Sequence, residues 1–131
     1  MIYYGKQNVN EADIEAVKAV LRSDFLTQGP AIERFERRVA DYCGAKYAVA
    51  VTNATSALHI ACLVAGMGKG DVLWTSPITF VASANCARYC GSDVDFVDID
   101  EKTYNMSADR LEEKLRKAKV AGRLPKMVIP V

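Results

Sequence analysis

The chain has 131 residues, of which half are apolar and a quarter are charged, and its formal net charge at pH 7 is +1. This length accommodates one domain with one core. The balanced and interspersed charges give no electrostatic reason to expect a nucleic acid or an anionic membrane as partner. The first residues lack the basic start and apolar run of a signal peptide, and no stretch approaches the roughly 20 apolar residues of a membrane span. The sequence therefore predicts a soluble, cytoplasmic protein.

The four cysteines do not form a recognisable framework. They are Cys43, Cys62, Cys86 and Cys90. Their spacing lacks the paired CxxC pattern of a zinc site, and their number is too low for a disulfide scaffold. We therefore predict buried, reduced thiols and no metal site.

Two helices are predicted at the start of the chain. Asn10 is a candidate helix cap, and the apolar residues after it follow at helical spacing. Pro30 suits the first turn of a second helix, and Gly44 suits its end. The predicted buried stripe of the second helix is Ile32, Phe35, Val39 and Tyr42. We expect residues 1–45 to form a helical arm that packs on a neighbouring domain or subunit.

Residues 46–131 alternate predicted strands with predicted helices. The strands are expected at residues 47–51, 72–75, 94–99 and 126–131. The intervening helices are expected at residues 57–65, 80–90 and 107–119. This alternation predicts an α/β fold with a mostly parallel sheet and helices on both faces. Because the last predicted strand is apolar and nothing follows it, we expect the chain to be the first part of a longer α/β domain.

A polar turn follows the first predicted strand, where ligands of parallel α/β sheets bind. Residues 53–56 open directly into a helix, whose unpaired N–H groups and positive dipole end favour a phosphate. Thr55 and Ser56 add hydroxyl donors at this point. A plain helix cap is the alternative interpretation. Neither GxGxxG nor GxxxxGK[ST] occurs, which argues against a dinucleotide fingerprint and a Walker loop.

An aromatic residue stands after the second predicted strand. The loop of residues 76–79 leads to Phe80, whose ring could stack on a flat cofactor beside the polar turn. Taken alone, a position in the hydrophobic core is the simpler interpretation of Phe80.

Taken in order, these segments resemble the N-terminal part of the DegT/DnrJ/EryC1/StrS family, pyridoxal-phosphate-dependent aminotransferases of nucleotide-linked keto sugars. The resemblance runs from Tyr4 to the last residue. Each segment is a weak signal alone, but the series in order and at family-like spacing is specific. The segments are residues 26–30, 35–36, 42–45, 53–59, 68–71, 77–82 and 97–100.

The resemblance implies a fold and a set of binding residues. The fold is the large domain of a fold-type I pyridoxal-phosphate-dependent transferase, of which residues 46–131 would be the first part. Thr55 and Ser56 would hold the phosphate of pyridoxal 5'-phosphate, and Phe80 would stack on its pyridine ring. The residues that would lie along the sugar-nucleotide site are Tyr4, Asp24, Phe25, Leu26 and Thr27. We expect His59 to lie in the core or behind the residues that contact the cofactor. We expect Asp98 and Asp100 to form hydrogen bonds in the loop near the end of their strand, without a catalytic role.

The resemblance also implies a reaction. It is amino transfer, with glutamate as donor, to a UDP-linked 4-keto-6-deoxy sugar in surface polysaccharide or pseudaminic acid biosynthesis, carried out by a homodimer. The Schiff-base lysine and the carboxylate facing the pyridine nitrogen would lie downstream of Val131. We therefore expect no catalytic residue in this chain and no activity from it alone. Two alternatives stay open: a pyridoxal-phosphate-dependent sugar dehydratase of the same family, with histidine in place of the lysine, and a non-catalytic flavodoxin-like binding module.

Overall fold

The computed structural model describes residues 5–131, which separate into two compact units that meet in the chain between Ala50 and Val51. The predicted boundary at residues 45/46 stays a prediction. Tyr4, expected at the sugar-nucleotide site, lies outside the described residues. No helix within residues 5–131 has both the length and the apolar character needed to cross a bilayer.

The first unit begins with helix α1 (Glu11–Leu21), which carries the predicted cap. The side chain of Asn10 accepts the Asp13 N–H at 3.4 Å, and the carboxylate of Asp13 accepts the Asn10 N–H at 2.9 Å. These reciprocal bonds form a capping box, which satisfies N–H groups that a helix start leaves open. The predicted start of this helix is confirmed.

Helix α2 (Pro30–Cys43) also has the predicted ends, with Pro30 in its first turn and Gly44 in the left-handed conformation after it. The expected burial of its apolar stripe is wrong. The exposed fractions of Ile32, Phe35, Val39 and Tyr42 are 40%, 59%, 37% and 93%. Ala40 is the only buried residue between positions 5 and 50. An apolar stripe becomes a core only where a second layer packs on it.

The second unit is a parallel α/β layer structure. Its helices are α3 (Ala54–Val64), α4 (Ala82–Tyr89) and α5 (Ala108–Val120), and its strands are β1 (Val72–Thr75), β2 (Asp93–Phe96) and β3 (Met127–Ile129). The strand order is β2-β1-β3, and both pairings are parallel. The predicted α/β class is confirmed. The second predicted strand coincides with β1, whereas the third and fourth predicted strands and the helices between the strands differ from the observed elements by up to three residues at their ends.

Helices cover both faces of this sheet. Leu73 and Trp74 are consecutive in β1, so their side chains point to opposite faces. Leu73 is fully buried in a cluster with Cys62 of α3 and Cys86 of α4. On the other face, the ammonium group of Lys114 in α5 lies 4.8 Å from the centre of the Trp74 ring. The middle strand is therefore enclosed, as expected for a parallel sheet.

The first predicted strand is absent. Residues 47–51 pair with no other strand in the described part of the chain. Of their backbone N–H groups, only that of Ala50 has an acceptor among residues 5–131, the carboxylate of Glu36 at 2.8 Å. The apolar side chains of Tyr47 and Val49 are 75% and 80% exposed. An apolar sequence favours a strand, but a strand also needs a neighbouring backbone to receive its hydrogen bonds.

The four cysteines are free thiols, but the expected burial is wrong for Cys43, which is exposed, and Cys90 is half-buried. Cys62 and Cys86 are buried, and the Cys62 thiol donates to the Met127 sulfur at 3.9 Å. Burial raises the pKa of Cys62 to about 12, and hydrogen bonding with Cys86 adds to this effect. Cys62 is therefore a protonated, unreactive core residue at neutral pH. No group of three or more potential metal ligands occurs among residues 5–131.

Candidate functional site

The predicted phosphate turn is the first turn of helix α3. The helix begins at Ala54, three residues before the predicted start, so Thr55 and Ser56 are helical residues and do not precede the helix. Asn53 is the N-cap, and its side-chain oxygen accepts the Ser56 N–H at 2.9 Å. This cap explains the earlier start, because an N-cap asparagine satisfies an N–H group that the helix would otherwise leave open.

The donors left at this helix start suit a phosphate group. The backbone N–H groups of Ala54 and Thr55 donate to no acceptor within residues 5–131, and the half-buried hydroxyls of Thr55 and Ser56 lie in the same turn. No acidic residue occupies the first turn of α3, whereas that of α5 contains Asp109. The positive end of the α3 dipole is therefore not neutralised by a nearby carboxylate. A dianion that accepts several hydrogen bonds fits this donor set.

The polar side chains of Thr52 and Asn53 adjoin this turn, although neither was assigned a contact with the cofactor. The hydroxyls of Thr52 and Ser56 are 3.4 Å apart, and the side-chain nitrogen of Asn53 lies 3.5 Å from the Thr52 hydroxyl. The sequence signal for this arrangement is an asparagine three residues before a serine, the spacing of an N-cap and its N3 partner.

Phe80 lies in the loop after β1 and is 73% exposed. The core interpretation of Phe80 is therefore wrong. The loop starts from a fixed strand end, since the Thr75 hydroxyl donates to the Ile129 carbonyl at 2.9 Å and the Ser76 hydroxyl donates to the Val131 carbonyl at 3.2 Å. No hydrogen bond joins this loop to Thr55 or Ser56 within the described residues. The stacking role of Phe80 stays a prediction.

The predicted sugar-nucleotide segment lies in the first unit, in the turn between α1 and α2. Phe25 and Leu26 are 60% and 65% exposed, and Asp24 and Thr27 are exposed as well. A Cβ atom added to Gly29 would lie 2.9 Å from the Cβ of Phe25. The close approach of the backbone at position 29 to Phe25 therefore depends on glycine. The turn thus presents Asp24 to Thr27 at the surface, and their binding role stays a prediction.

Other polar residues have structural partners. The carboxylate of Asp100 accepts the N–H groups of Thr103 and Lys102, and these bonds lower the pKa of Asp100. His59 contacts the ring of Tyr89 edge-on, with 5.3 Å between the ring centres. These contacts agree with the supporting roles expected for Asp100 and His59.

A second polar cluster, formed by Lys114, Asp95 and Trp74, was not anticipated from the sequence. The Lys114 ammonium lies 2.7 Å from the Asp95 carboxylate. Burial raises the pKa of Asp95, but hydrogen bonds from Lys114 and from the Phe96 N–H outweigh it, and the net shift is downward. The cluster fastens α5 to the sheet. Its members are about 20 and 40 positions apart, so no local motif could have indicated it.

Comparison with known proteins identifies the family of the chain. A sequence profile of the DegT/DnrJ/EryC1/StrS aminotransferase family matches residues 7–131. UDP-4-amino-4,6-dideoxy-N-acetyl-beta-L-altrosamine transaminase from Campylobacter jejuni is 38% identical over 117 residues, which are 89% of this chain and 31% of that protein. Spore coat polysaccharide biosynthesis protein SpsC from Bacillus subtilis is 39% identical over 128 residues, 98% of this chain and 31% of that protein.

Solved structures share the fold of the chain. Spr1654 from Streptococcus pneumoniae in its PMP form superimposes with a TM-score of 0.82 at 30% identity, over 98% of this chain and 31% of that chain. The PLP form of the same protein gives a TM-score of 0.78 at 32% identity, over 86% and 29% of the two chains. The present chain thus spans about a third of the length of these relatives. It has the α/β fold of part of a fold-type I large domain, and it belongs to the DegT/DnrJ/EryC1/StrS aminotransferase family.

Proposed function

We propose that this chain supplies the phosphate-binding wall of a pyridoxal 5'-phosphate site in a nucleotide-sugar aminotransferase. The observation that carries the proposal is the start of α3, where the N–H groups of Ala54 and Thr55 are unpaired and the hydroxyls of Thr55 and Ser56 adjoin them. Family membership supports the choice of cofactor, because Spr1654 has been solved in PLP and PMP forms. The flavodoxin-like alternative loses its support, since none of the relatives described above is of that class.

The substrate of the whole protein is proposed from the same family. The acceptor is a UDP-linked 4-keto-6-deoxy sugar, the amino donor is glutamate, and the assembly is a cytoplasmic homodimer acting in surface polysaccharide or pseudaminic acid biosynthesis. The name of the C. jejuni relative, an altrosamine transaminase, supports the sugar class. Within this chain, the exposed turn that contains Phe25 and Leu26 would contact the sugar nucleotide, and residues 1–45 would form the arm that packs on the neighbouring domain or subunit.

The residues of this chain would bind and orient the cofactor. The Ala54 and Thr55 N–H groups and the two hydroxyls would hold its phosphate, while the exposed ring of Phe80 would cover one face of the pyridine and exclude water from it. When bound, the cofactor supplies an electron sink for the carbon that carries the amino group. We propose no acid or base among these residues, so the chain alone would not catalyse amino transfer.

Binding of pyridoxamine 5'-phosphate by the 131-residue chain tests this proposal. This ligand carries an amine and cannot form adducts with surface lysines, so equilibrium dialysis would report the non-covalent site alone. We expect Thr55→Val, which keeps the shape of the side chain, to weaken binding by about 1–3 kcal/mol, or roughly 5- to 150-fold. The matched control is Thr103→Val in an exposed loop, which should bind like the parent chain.

Dephosphorylated pyridoxamine provides the second control, because its binding should be indifferent to Thr55→Val. Equal affinity of the parent chain and Thr55→Val for pyridoxamine phosphate would refute the phosphate role of the α3 start. Formation of 2-oxoglutarate from glutamate and a UDP-linked keto sugar by the chain alone would contradict the proposal that it lacks catalytic residues.

A further inference from the structure

We draw no further inference here: the strongest candidate, the exposed apolar face of helix α2 formed by Ile32, Phe35, Val39 and Tyr42, carries no proposal because nothing among residues 5–131 shows what covers it.

Discussion

The two units of the chain have similar local signals but different interiors. Helices α1 and α2 of the first unit have well-formed caps and apolar stripes, yet Ala40 is the only residue buried between positions 5 and 50. The second unit has helices of comparable length, and it buries a cluster around Leu73, Cys62 and Cys86. Amphipathic helices alone therefore do not produce a core in this chain.

The difference comes from the sheet. In the second unit, β1 brings Leu73 between two helices, and its backbone pairs with β2 and β3 over separations of about 20 and 54 residues. The first unit contains no strand among the described residues, so its helices have no common layer on which to pack. Burial in α/β proteins depends on such layers, and caps determine only where helices begin and end.

Among the substitutions that test this comparison, the one at Leu73 should change the free energy of unfolding most, because Leu73 is fully buried. Leu73→Ala should lower the free energy of unfolding of the second unit by about 2–5 kcal/mol, because it removes core contacts and leaves a cavity. Urea denaturation followed by the fluorescence of Trp74, the only tryptophan and a residue of this unit, would measure the change.

The matched control is Leu21→Ala in α1, where the leucine is 64% exposed. Surface substitutions of this kind change stability by about 0.5 kcal/mol or less. This variant would be followed by far-ultraviolet circular dichroism, which also reports helices α1 and α2. A loss at Leu21 as large as that at Leu73 would break the comparison, because it would mean that the first unit has a core of its own.

A smaller effect is expected at Thr75, whose buried hydroxyl joins β1 to the Ile129 carbonyl at 2.9 Å. Thr75→Val preserves the shape of the residue but leaves that carbonyl without its donor. The free energy of unfolding should fall by about 1–2 kcal/mol. Thr103→Val is the control, because the Thr103 hydroxyl makes only exposed contacts with Asn105 and Asp100, and it should change the denaturation midpoint much less. Equal midpoints for both variants would show that the β1–β3 edge does not depend on this bond.

The smallest expected effect on stability is that of acid on the ion pair between Lys126 and Asp71, which lies at the other end of β1 and β3. Lys126 lies 2.9 Å from the Asp71 carboxylate and also donates to the Gly66 carbonyl at 2.6 Å. The hydrogen bond from Lys126 lowers the pKa of Asp71 below its ordinary value of 3.8. A lowered carboxyl pKa stabilises the fold above the ordinary value, and this contribution is lost as the pH falls through the lowered one.

Urea midpoints measured between pH 6 and pH 2 would test this sign. The parent chain should lose stability over the acid range, and Asp71→Asn should lack that part of the loss because it has no proton to bind. Lys126→Met should remove most of the same part, since it leaves the Gly68 N–H as the donor to Asp71. An acid response in Asp71→Asn identical to that of the parent chain would exclude a role for this pair.

Much of the fold and part of the site could be predicted from short-range patterns. The cap at Asn10, the end of α2 at Gly44 and the hydroxyls of Thr55 and Ser56 all depend on neighbours within four residues, which the sequence displays directly. The exposure of Phe80 could not be predicted, because it depends on how the loop after β1 leaves the sheet. The Thr52–Ser56 contact was missed since it arises only once the helix begins at Ala54.

The sequence by itself determined the class of fold and the family, because the alternation of elements and the order of the short motifs can be read along the chain. It also indicated the helix start that suits a phosphate, because the polar residues of that turn are neighbours in sequence. The tertiary structure decided which apolar segments are buried and which strands pair. Residues 47–51 show the difference most clearly, with the composition of a strand but no neighbouring backbone among residues 5–131. A β-strand needs a second backbone segment as its partner, and its hydrogen bonds form only where the fold brings that segment alongside.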